Sequence, residues 1–484
     1  MSLTIEAFQA RLEGLEVELN RETCRQYAGR PYDEARMEAL SRQIETLARD
    51  ALAALPPEAF PRPLYFAALR AAAASTYTRL DNEIYRVRSE AVRVEEGDEV
   101  VTLSNWRRFN HRHARDRARR RRVFDGLLAQ ARLLTPLLEE RMALSRRIFA
   151  PLGLTPLDVY LEEEGVDAAT LRGLVERTAR AAYPAFRAEL DAFAAELLGG
   201  PAEYYDDFYV FGNVIYAPVD PAVAALDVPA LVGEVCRRLG FDLARITVDA
   251  EPRPGKHASP VCFGVHIPHE VYVLYQRTSP TSDYLGYAHE MGHAVHFASV
   301  DPARPYTDRY LIPAGVAELF STLLETLAVH PRFLAEEAGL PPAVADDLAR
   351  RERFLQLYFL TFYGANALFK LRYWTEQPDM DGADALYAAL YRKLVGLPMP
   401  GRYWQTHHVV ALYDVYAPSY LIARVRTEEL WAELVARFGP TWWREAAAGA
   451  FLREALIGPG RAVRLDAFSR LDPTPYLQSL GLAA

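Results

Sequence analysis

The chain is organised around one segment, Tyr284-Leu-Gly-Tyr-Ala-His-Glu-Met-Gly-His-Ala-Val-His296. It contains the pattern His-Glu-x-x-His at His289, Glu290 and His293. On a helix, residues four apart lie on the same face, so both imidazoles can reach one metal ion. The intervening glutamate then lies where it can accept a proton from the attacking water of a hydrolase. The segment therefore predicts a helix that carries a zinc site of the peptidase type.

The residues around this pattern favour a helix. Ser282 and Asp283 are residue types that cap helix N-termini, so we expect the helix to begin just after them. No proline occurs between Tyr284 and Val300, and small or apolar residues recur through the segment. Because a five-residue pattern also occurs by chance, the alternative interpretation is an amphipathic helix with two half-buried histidines.

A catalytic zinc site needs a third protein ligand and keeps one position for water. Glu318 stands in the apolar run Pro313–Leu327, where an ionised carboxylate is costly unless it is paired or binds a metal. We therefore predict that Glu318 completes the site with the two histidines. Ser321 and Glu325 can orient a ligating histidine, although each also fits an ordinary surface or core position.

Four stretches together resemble the oligopeptidase F and thimet oligopeptidase family of zinc metallopeptidases, over roughly the C-terminal half from Ile246 to Trp431. The tyrosine spacing departs from the family patterns, so His407 can replace His408, and Tyr413 and Tyr416 can exchange roles. The chain is also shorter than typical family members. The stretches are Asp249-Ala-Glu-Pro-Arg-Pro-Gly-Lys-His257, His289-Glu-Met-Gly-His-Ala-Val-His296, Glu318-x-x-Ser-x-x-x-Glu325, and His408 with Tyr413, Tyr416 and Tyr420.

The resemblance implies a mainly α-helical fold with two helical lobes around a deep cleft and a small β-sheet beside the metal-binding helix. It implies one zinc ion as cofactor and Glu290 as general base. It implies that Tyr420 and His408 stabilise the oxyanion of the transition state, and that Tyr413 and Tyr416 contact substrate. The implied activity is hydrolysis of internal peptide bonds in short peptides.

Hydrophobic periodicity independently predicts a largely helical chain. We predict an N-terminal helical region at residues 1–200 and a catalytic region at 201–484. The aromatic stretch Tyr204–Tyr216 predicts a hairpin or an irregular packing segment. Short strands are predicted at Ile246–Ala250 and Cys262–Tyr275, ahead of the metal helix. Helices are predicted at Met37–Leu55, Leu64–Val94, Arg117–Ala150, Ala168–Leu198 and Pro229–Leu239, and again from Ala314 onwards.

Composition narrows the classes of partner. A net charge of −9 over 484 residues argues against nucleic acid as the main partner. Three scattered cysteines do not form a disulfide framework, which favours a cytoplasmic location. The N-terminus lacks the basic and apolar regions of a signal peptide, and no long apolar stretch predicts a membrane span. The sequence does not indicate an oligomeric state.

The arginine-rich stretch Trp106–Arg122 allows three interpretations. Its arginines can bind phosphates, can be a solvated helix face, or can attract the carboxylates of peptides. We expect no nucleic-acid binding here, and the sequence does not separate the other two.

Three other functions compete with an oligopeptidase. A metallocarboxypeptidase or dipeptidase on a similar helical scaffold would need a positive group to hold the terminal carboxylate. A metal hydrolase could instead act on a non-peptide amide. A non-catalytic helical binding protein should have lost the base or a ligand, whereas His289, Glu290, His293 and Glu318 are all present.

Overall fold

The computed structural model describes residues 3–257 and 259–483, and they are mainly helical, as the sequence predicts. Within these residues no helix has the length and apolar character needed to cross a membrane. The α-helices are α1 Ile5–Tyr27, α2 Glu34–Ala54, α3 Arg62–Ala71, α4 Ala74–Arg86, α5 Trp106–Arg112, α6 Arg117–Gln130, α7 Thr135–Phe149, α8 Pro156–Glu164, α9 Ala168–Leu198, α10 Phe208–Val214, α11 Asp220–Val223, α12 Val228–Arg238, α13 Pro280–Ser299, α14 Tyr306–Tyr310, α15 Ala314–Ala328, α16 Pro331–Glu336, α17 Pro342–Glu376, α18 Met380–Leu394, α19 Tyr403–Thr406, α20 His408–Leu412, α21 Ala417–Phe438, α22 Ala446–Phe451 and α23 Thr474–Ser479. The strands are β1 Arg93–Glu96, β2 Glu99–Thr102, β3 Ile246–Asp249, β4 Val261–His266 and β5 Glu270–Leu274.

The chain folds into two compact units, and each is built from three separate stretches. The predicted boundary at residue 200 does not separate these units. Helix periodicity shows where helices lie but contains no information on which helices pack together. The first unit comprises the chain up to Thr78, Val219–Asp346 and Ala423–Asp472, and the second comprises Arg79–Pro218, Asp347–Ile422 and the chain from Pro473.

The first unit has a core on each side of α1. Thr4 caps this helix, because its hydroxyl accepts the amide hydrogen of Ala7. Phe8 and Leu12 are buried against α2 and α3. Further along the helix, Val17 and Cys24 pack on the sheet.

The sheet of the first unit has the strand order β3-β5-β4. The central strand β5 pairs in parallel with β3 and antiparallel with β4. The predicted stretch Cys262–Tyr275 is therefore two strands with a turn between them. Helix α13 packs on β4 and β5, so the small sheet lies beside the predicted metal helix.

The second unit is held together by aromatic rings between α9, α10 and α17. Phe193 stacks on Phe354 with 4.4 Å between ring centroids, and Phe186 lies 4.7 Å from Tyr358. Phe211 of α10 contacts Phe354 as well. Such rings bury a large apolar area, which stabilises the contact between these helices.

Three sequence predictions of secondary structure need correction. The predicted helix Leu64–Val94 breaks into α3, α4 and a π-helical turn at Val87–Ala91, and a β1–β2 hairpin follows with Gly97 at φ +68°. The predicted helix Arg117–Ala150 is interrupted between α6 and α7. The stretch Tyr204–Tyr216, predicted as a hairpin or an irregular packing segment, contains helix α10 between irregular residues and no hairpin. Asp207 caps α10, and burial of its aromatic rings outweighs their β propensity.

Candidate metal and catalytic site

Helix α13 begins earlier than the sequence indicates. Pro280 occupies its first turn, where the missing amide hydrogen costs nothing, and Ser279 is the cap residue. Asp283 lies inside the first turn, and its carboxylate accepts the amide hydrogen of Ser279 at 2.6 Å. Asp283 therefore satisfies an amide at the helix end from within the helix, and Ser282 is not the cap.

Helices α13 and α15 cross in close contact at Gly292. A Cβ atom at this position would lie 2.4 Å from the carbonyl oxygen of Phe320 and 2.5 Å from the Cα of Ser321. Both are backbone atoms of α15, so only glycine allows this approach. The crossing places Glu318 opposite the face of α13 that carries the predicted ligands.

His289, His293 and Glu318 meet at this crossing. Glu318 Oε2 lies 3.3 Å from His289 Nε2 and 3.7 Å from His293 Nε2. One possible ligand atom from each residue lies within 4.8 Å of the others. Ligand atoms at about 2.05 Å from a tetrahedral zinc ion are separated by about 3.3 Å, so this donor set fits a zinc ion. Burial lowers the pKa of His293 to about 4, which leaves its imidazole neutral and able to ligate.

Glu325 orients His289, as the sequence allowed. Its Oε2 lies 3.1 Å from His289 Nδ1 and 2.8 Å from Arg424 Nη2. Burial favours the neutral acid, but the charge of Arg424 and the hydrogen bond with His289 prevail and lower the pKa of Glu325 to about 2. Burial likewise opposes a charge on His289, yet Glu318 and Glu325 hold its pKa well above the usual value. An anion behind Nδ1 thus fixes the ring and makes Nε2 a stronger ligand.

Ser321 supports the carboxylate of Glu318. Its hydroxyl donates to Glu318 Oε2 at 3.2 Å and to the Glu318 carbonyl oxygen at 2.9 Å. Glu318 is only 3 % exposed, so this contact helps to satisfy a buried carboxylate that otherwise faces the two histidines.

Glu290 is held by the edge of the sheet. The amide of Cys262 on β4 donates to Glu290 Oε2 at 2.7 Å. Burial raises the pKa of Glu290 to about 7, and the charge of His289 opposes part of that rise. A carboxyl group with a pKa near neutrality can both accept a proton and return it, which is the property of a general base in hydrolysis.

Two further motif residues are structural. Lys256 is buried, and its ammonium donates to Asp249 Oδ1 at 3.0 Å and to the carbonyl oxygens of Asp249, Glu251 and Tyr275. Lys256 therefore ties together the ends of β3 and β5. His296 is fully buried against Phe320, with 4.6 Å between ring centroids, and packs in the core.

The second unit contains the residues that the resemblance assigns to the transition state. His407 is buried, and its Nδ1 accepts the amide hydrogens of Val409 and Val410 at the start of α20. Its Nε2 lies 3.1 Å from Tyr209 Oη. Both ring nitrogens of His407 thus have structural partners, and the role of His408 at the transition state stays a prediction.

The three predicted tyrosines follow one another along the chain in ring contact. The ring centroids of Tyr413 and Tyr416 are 5.0 Å apart, and those of Tyr416 and Tyr420 are 5.2 Å apart. Tyr420 in turn contacts Tyr363 of α17 at 5.3 Å. The structure therefore brings these tyrosines into one cluster of the second unit, and their catalytic roles stay predictions.

Sequence reasoning missed Tyr209, Tyr363 and Arg424. Tyr209 lies in the aromatic stretch that was predicted to be a hairpin or an irregular packing segment, and Tyr363 lies in the long helix α17. Arg424 follows Tyr420 by four residues, one helical turn along α21, and this spacing was the available signal. None of the three belongs to a motif of its own.

Comparisons with known proteins agree with the geometry at the level of family type and fold. The model of peptidase family M3 matches residues 232–460, which include α13 and α15. This match is to the M3 family and does not distinguish the oligopeptidase F and thimet group. No curated protein matches the chain.

Two solved structures share the fold over nearly the whole chain. The M32 carboxypeptidase from Deinococcus radiodurans R1 is 18% identical with a TM-score of 0.60, covering 98% of this chain and 97% of that one. A structure described as BsuCP is 14% identical with a TM-score of 0.60, covering 98% and 94%. At these identities the likeness shows the fold alone.

Proposed function

We propose that this chain is a zinc-dependent peptidase that hydrolyses short peptides, with Glu290 as general base. The observation that carries the proposal is the convergence of His289, His293 and Glu318 at the crossing of α13 and α15, with Glu290 on the same helix. The match of this region with the M3 peptidase model supports it.

A zinc ion held by the three ligands would supply Lewis-acid activation of the attacking water and of the peptide carbonyl. Glu290 accepts the proton of the water and passes it to the leaving amine, while Cys262 N–H holds one of its oxygens. His408 and Tyr420 are the proposed donors to the developing oxyanion. Tyr413 is 49% exposed and, with Tyr416, is the proposed contact for the peptide.

The position of the cleaved bond separates two candidate activities. The resemblance of the motifs to the oligopeptidase F and thimet group favours cleavage of internal bonds. The second candidate is a carboxypeptidase or dipeptidase, which is favoured by the shared fold with the M32 carboxypeptidase over 98% of this chain. We place endopeptidase activity on short peptides first, because it rests on the residues of the site and not on the fold.

The test is mass spectrometry of the products from an end-blocked, internally quenched nonapeptide and from its free-ended form. Zinc-loaded protein is compared with Glu290→Gln, and a chelator is added to one arm. Loss of a general base lowers turnover by about 10²–10⁴-fold. The control Glu251→Gln removes an exposed carboxylate from the same unit and should leave the rate unchanged.

Internal cleavage that depends on zinc and on Glu290 would support the endopeptidase. Trimming of only the free-ended peptide from its C terminus would move the assignment to a carboxypeptidase. Zinc bound by the wild-type protein without turnover of either peptide would contradict the proposal.

A further inference from the structure

Most charges of the arginine-rich stretch are neutralised within the second unit. The ion pairs and hydrogen bonds join its side chains to acidic groups and to backbone carbonyls of the hairpin, of α6, of the end of α9 and of the segment after α9. These contacts leave little free charge for phosphates, so the stretch behaves mainly as a structural helix surface. The ion pairs are Arg112–Glu99, Arg119–Glu99, Arg122–Glu96, Arg120–Asp206 and Arg121–Asp125, and the hydrogen bonds to backbone carbonyls are Arg117–Pro201 and Arg115–Glu196.

Arg88 and Arg107 differ from these paired arginines. Among residues 3–257 and 259–483, neither guanidinium forms an ion pair with a carboxylate. Arg107 lies over the ring of Tyr209, with Cζ 4.0 Å from the centroid. Arg88 lies on the π-helical turn, and its buried Nη1 has no hydrogen-bond partner in the part of the chain that is described. Burial and the charge of Arg107 lower the pKa of Arg88 to about 10, so Arg88 is charged at neutral pH and has a second cation as its neighbour.

The acid that influences this pair most directly is already engaged. Asp207 is fully buried, and its carboxylate accepts the amide hydrogen of Val210 at 2.9 Å and the hydroxyl hydrogen of Tyr403. Burial raises the pKa of Asp207 to about 6, and the charge of Arg107 opposes part of that rise, although no ion pair forms between the two side chains. Two adjacent and partly desolvated cations without a committed anion are costly, and a bound carboxylate would remove this cost.

The pair lies beside the residues proposed for catalysis, within one compact unit. Tyr209, under Arg107, has its hydroxyl 3.1 Å from that of Tyr363, and the ring of Tyr363 contacts Tyr420. The ring of Tyr209 also lies 5.9 Å from that of His408. A group bound at the arginines is thus connected by consecutive side-chain contacts to both proposed oxyanion donors.

We propose that Arg88 and Arg107 bind the C-terminal carboxylate of the peptide substrate. This inference rests on the proposed peptidase function and adds to it a preference for peptides that end in a free carboxylate. A planar guanidinium binds a carboxylate through two parallel hydrogen bonds. A C-terminal amide is neutral and has only one acceptor oxygen, so it cannot form this pair. The site would thereby select short peptides by their end.

The test compares three forms of one short peptide with zinc-loaded full-length protein. The forms end in a free carboxylate, in an amide, and in an amide next to a glutamate side chain, which distinguishes a terminal from a side-chain carboxylate. The variants are Arg107→Gln, Arg88→Gln and Arg107→Lys, which keeps the charge and loses the planar fork. Arg108→Gln is the matched control, because Arg108 is an exposed neighbour on the same helix.

The wild-type protein should have a lower KM for the peptide with a free C-terminal carboxylate than for its amide. Arg107→Gln should raise KM for the acid about 10- to 100-fold and leave the amide unchanged, because a hydrogen bond to a charged group is lost. Arg107→Lys should restore part of the preference, and Arg108→Gln should keep all of it. Equal KM values of the wild-type protein for acid and amide would overturn the proposal, as would a preference for the glutamate side chain alone.

A measurement of peptide binding separates the test of the carboxylate site from the test of the peptidase function. Fluorescence anisotropy measures the affinity of labelled acid and amide peptides for Glu290→Gln protein, with and without Arg107→Gln. Tighter binding of the acid that is lost with Arg107→Gln would support the carboxylate site even when no peptide is cleaved. Cleavage of peptides without any acid preference in binding would support the peptidase and overturn the carboxylate site.

Discussion

Replacement of Gly292 by alanine tests the helix crossing on which the metal site depends. The new methyl carbon would lie 2.4 Å from the carbonyl oxygen of Phe320, and an ordinary contact begins at 3.4 Å. The difference is about 1 Å, and the obstructing atom is backbone, so α13 and α15 must move apart by roughly this amount.

Two opposing effects decide the result for stability. Alanine is about 1 kcal/mol better than glycine inside a helix. Overpacking against a rigid backbone costs about 1–3 kcal/mol. We expect the steric effect to prevail, with a net loss in the free energy of unfolding of up to about 2 kcal/mol.

The effect on metal binding should be larger. Zinc–ligand distances vary by only about 0.2 Å, so a shift of about 1 Å between Glu318 and the two histidines breaks the site. We expect the affinity for zinc to fall by more than the about 10- to 100-fold that loss of an orienting partner costs.

The assays are urea denaturation in the presence of chelator and a zinc titration against a chromophoric chelator. Gly173→Ala is the control, because Gly173 lies inside α9 with open space around it, and this variant should be stabilised by up to about 1 kcal/mol with unchanged zinc affinity. If Gly292→Ala is stabilised like the control and binds zinc as tightly as the wild-type protein, the close crossing is wrong.

Two further predictions concern buried carboxylates. Glu325→Gln should weaken zinc binding at neutral pH about 10- to 100-fold without loss of fold, because His289 loses the anion behind its Nδ1. Titration calorimetry measures the zinc affinity. An unchanged affinity would contradict the orienting role of Glu325. Burial raises the pKa of Glu16 from 4.5 to about 7, although Tyr306 donates a hydrogen bond to its carboxylate. Between these two pH values the unfolded chain loses this proton and the folded protein keeps it. The free energy of unfolding therefore falls as the pH rises from 4.5 to about 7. This loss amounts to up to about 3 kcal/mol between pH 4 and pH 8, and Glu16→Gln should remove it. Urea denaturation of both proteins across this pH range measures the effect. Parallel pH profiles of the two proteins would refute the prediction.

The sequence predicts most at the candidate metal site. The two histidines and Glu290 were predictable because their relation is local: four residues along a helix return to the same face whatever surrounds it. Glu318 was predictable because an isolated carboxylate in an apolar helix requires a partner. The strand Ile246–Asp249 and helix α9 followed in the same way from periodicity and turn residues.

Packing decided what local pattern could not. Tyr204–Tyr216 has the composition of a strand, but its rings gain more by burial against α17 as helix α10. The sequence likewise presented Lys256 as part of a functional motif, whereas the structure uses it to join two strands.

The sequence alone determined the helical class of this protein, the small sheet and the donor atoms carried by α13 and α15. The tertiary structure alone decided that most of the arginine-rich stretch is neutralised, that Arg88 and Arg107 are neighbours without a carboxylate partner among the described residues, and that His407 is a helix cap. Local spacing is set by the geometry of a single helix, so it can be read along the chain. The partner of a charge is set by which distant segments are packed together, and that depends on the burial of side chains throughout the fold.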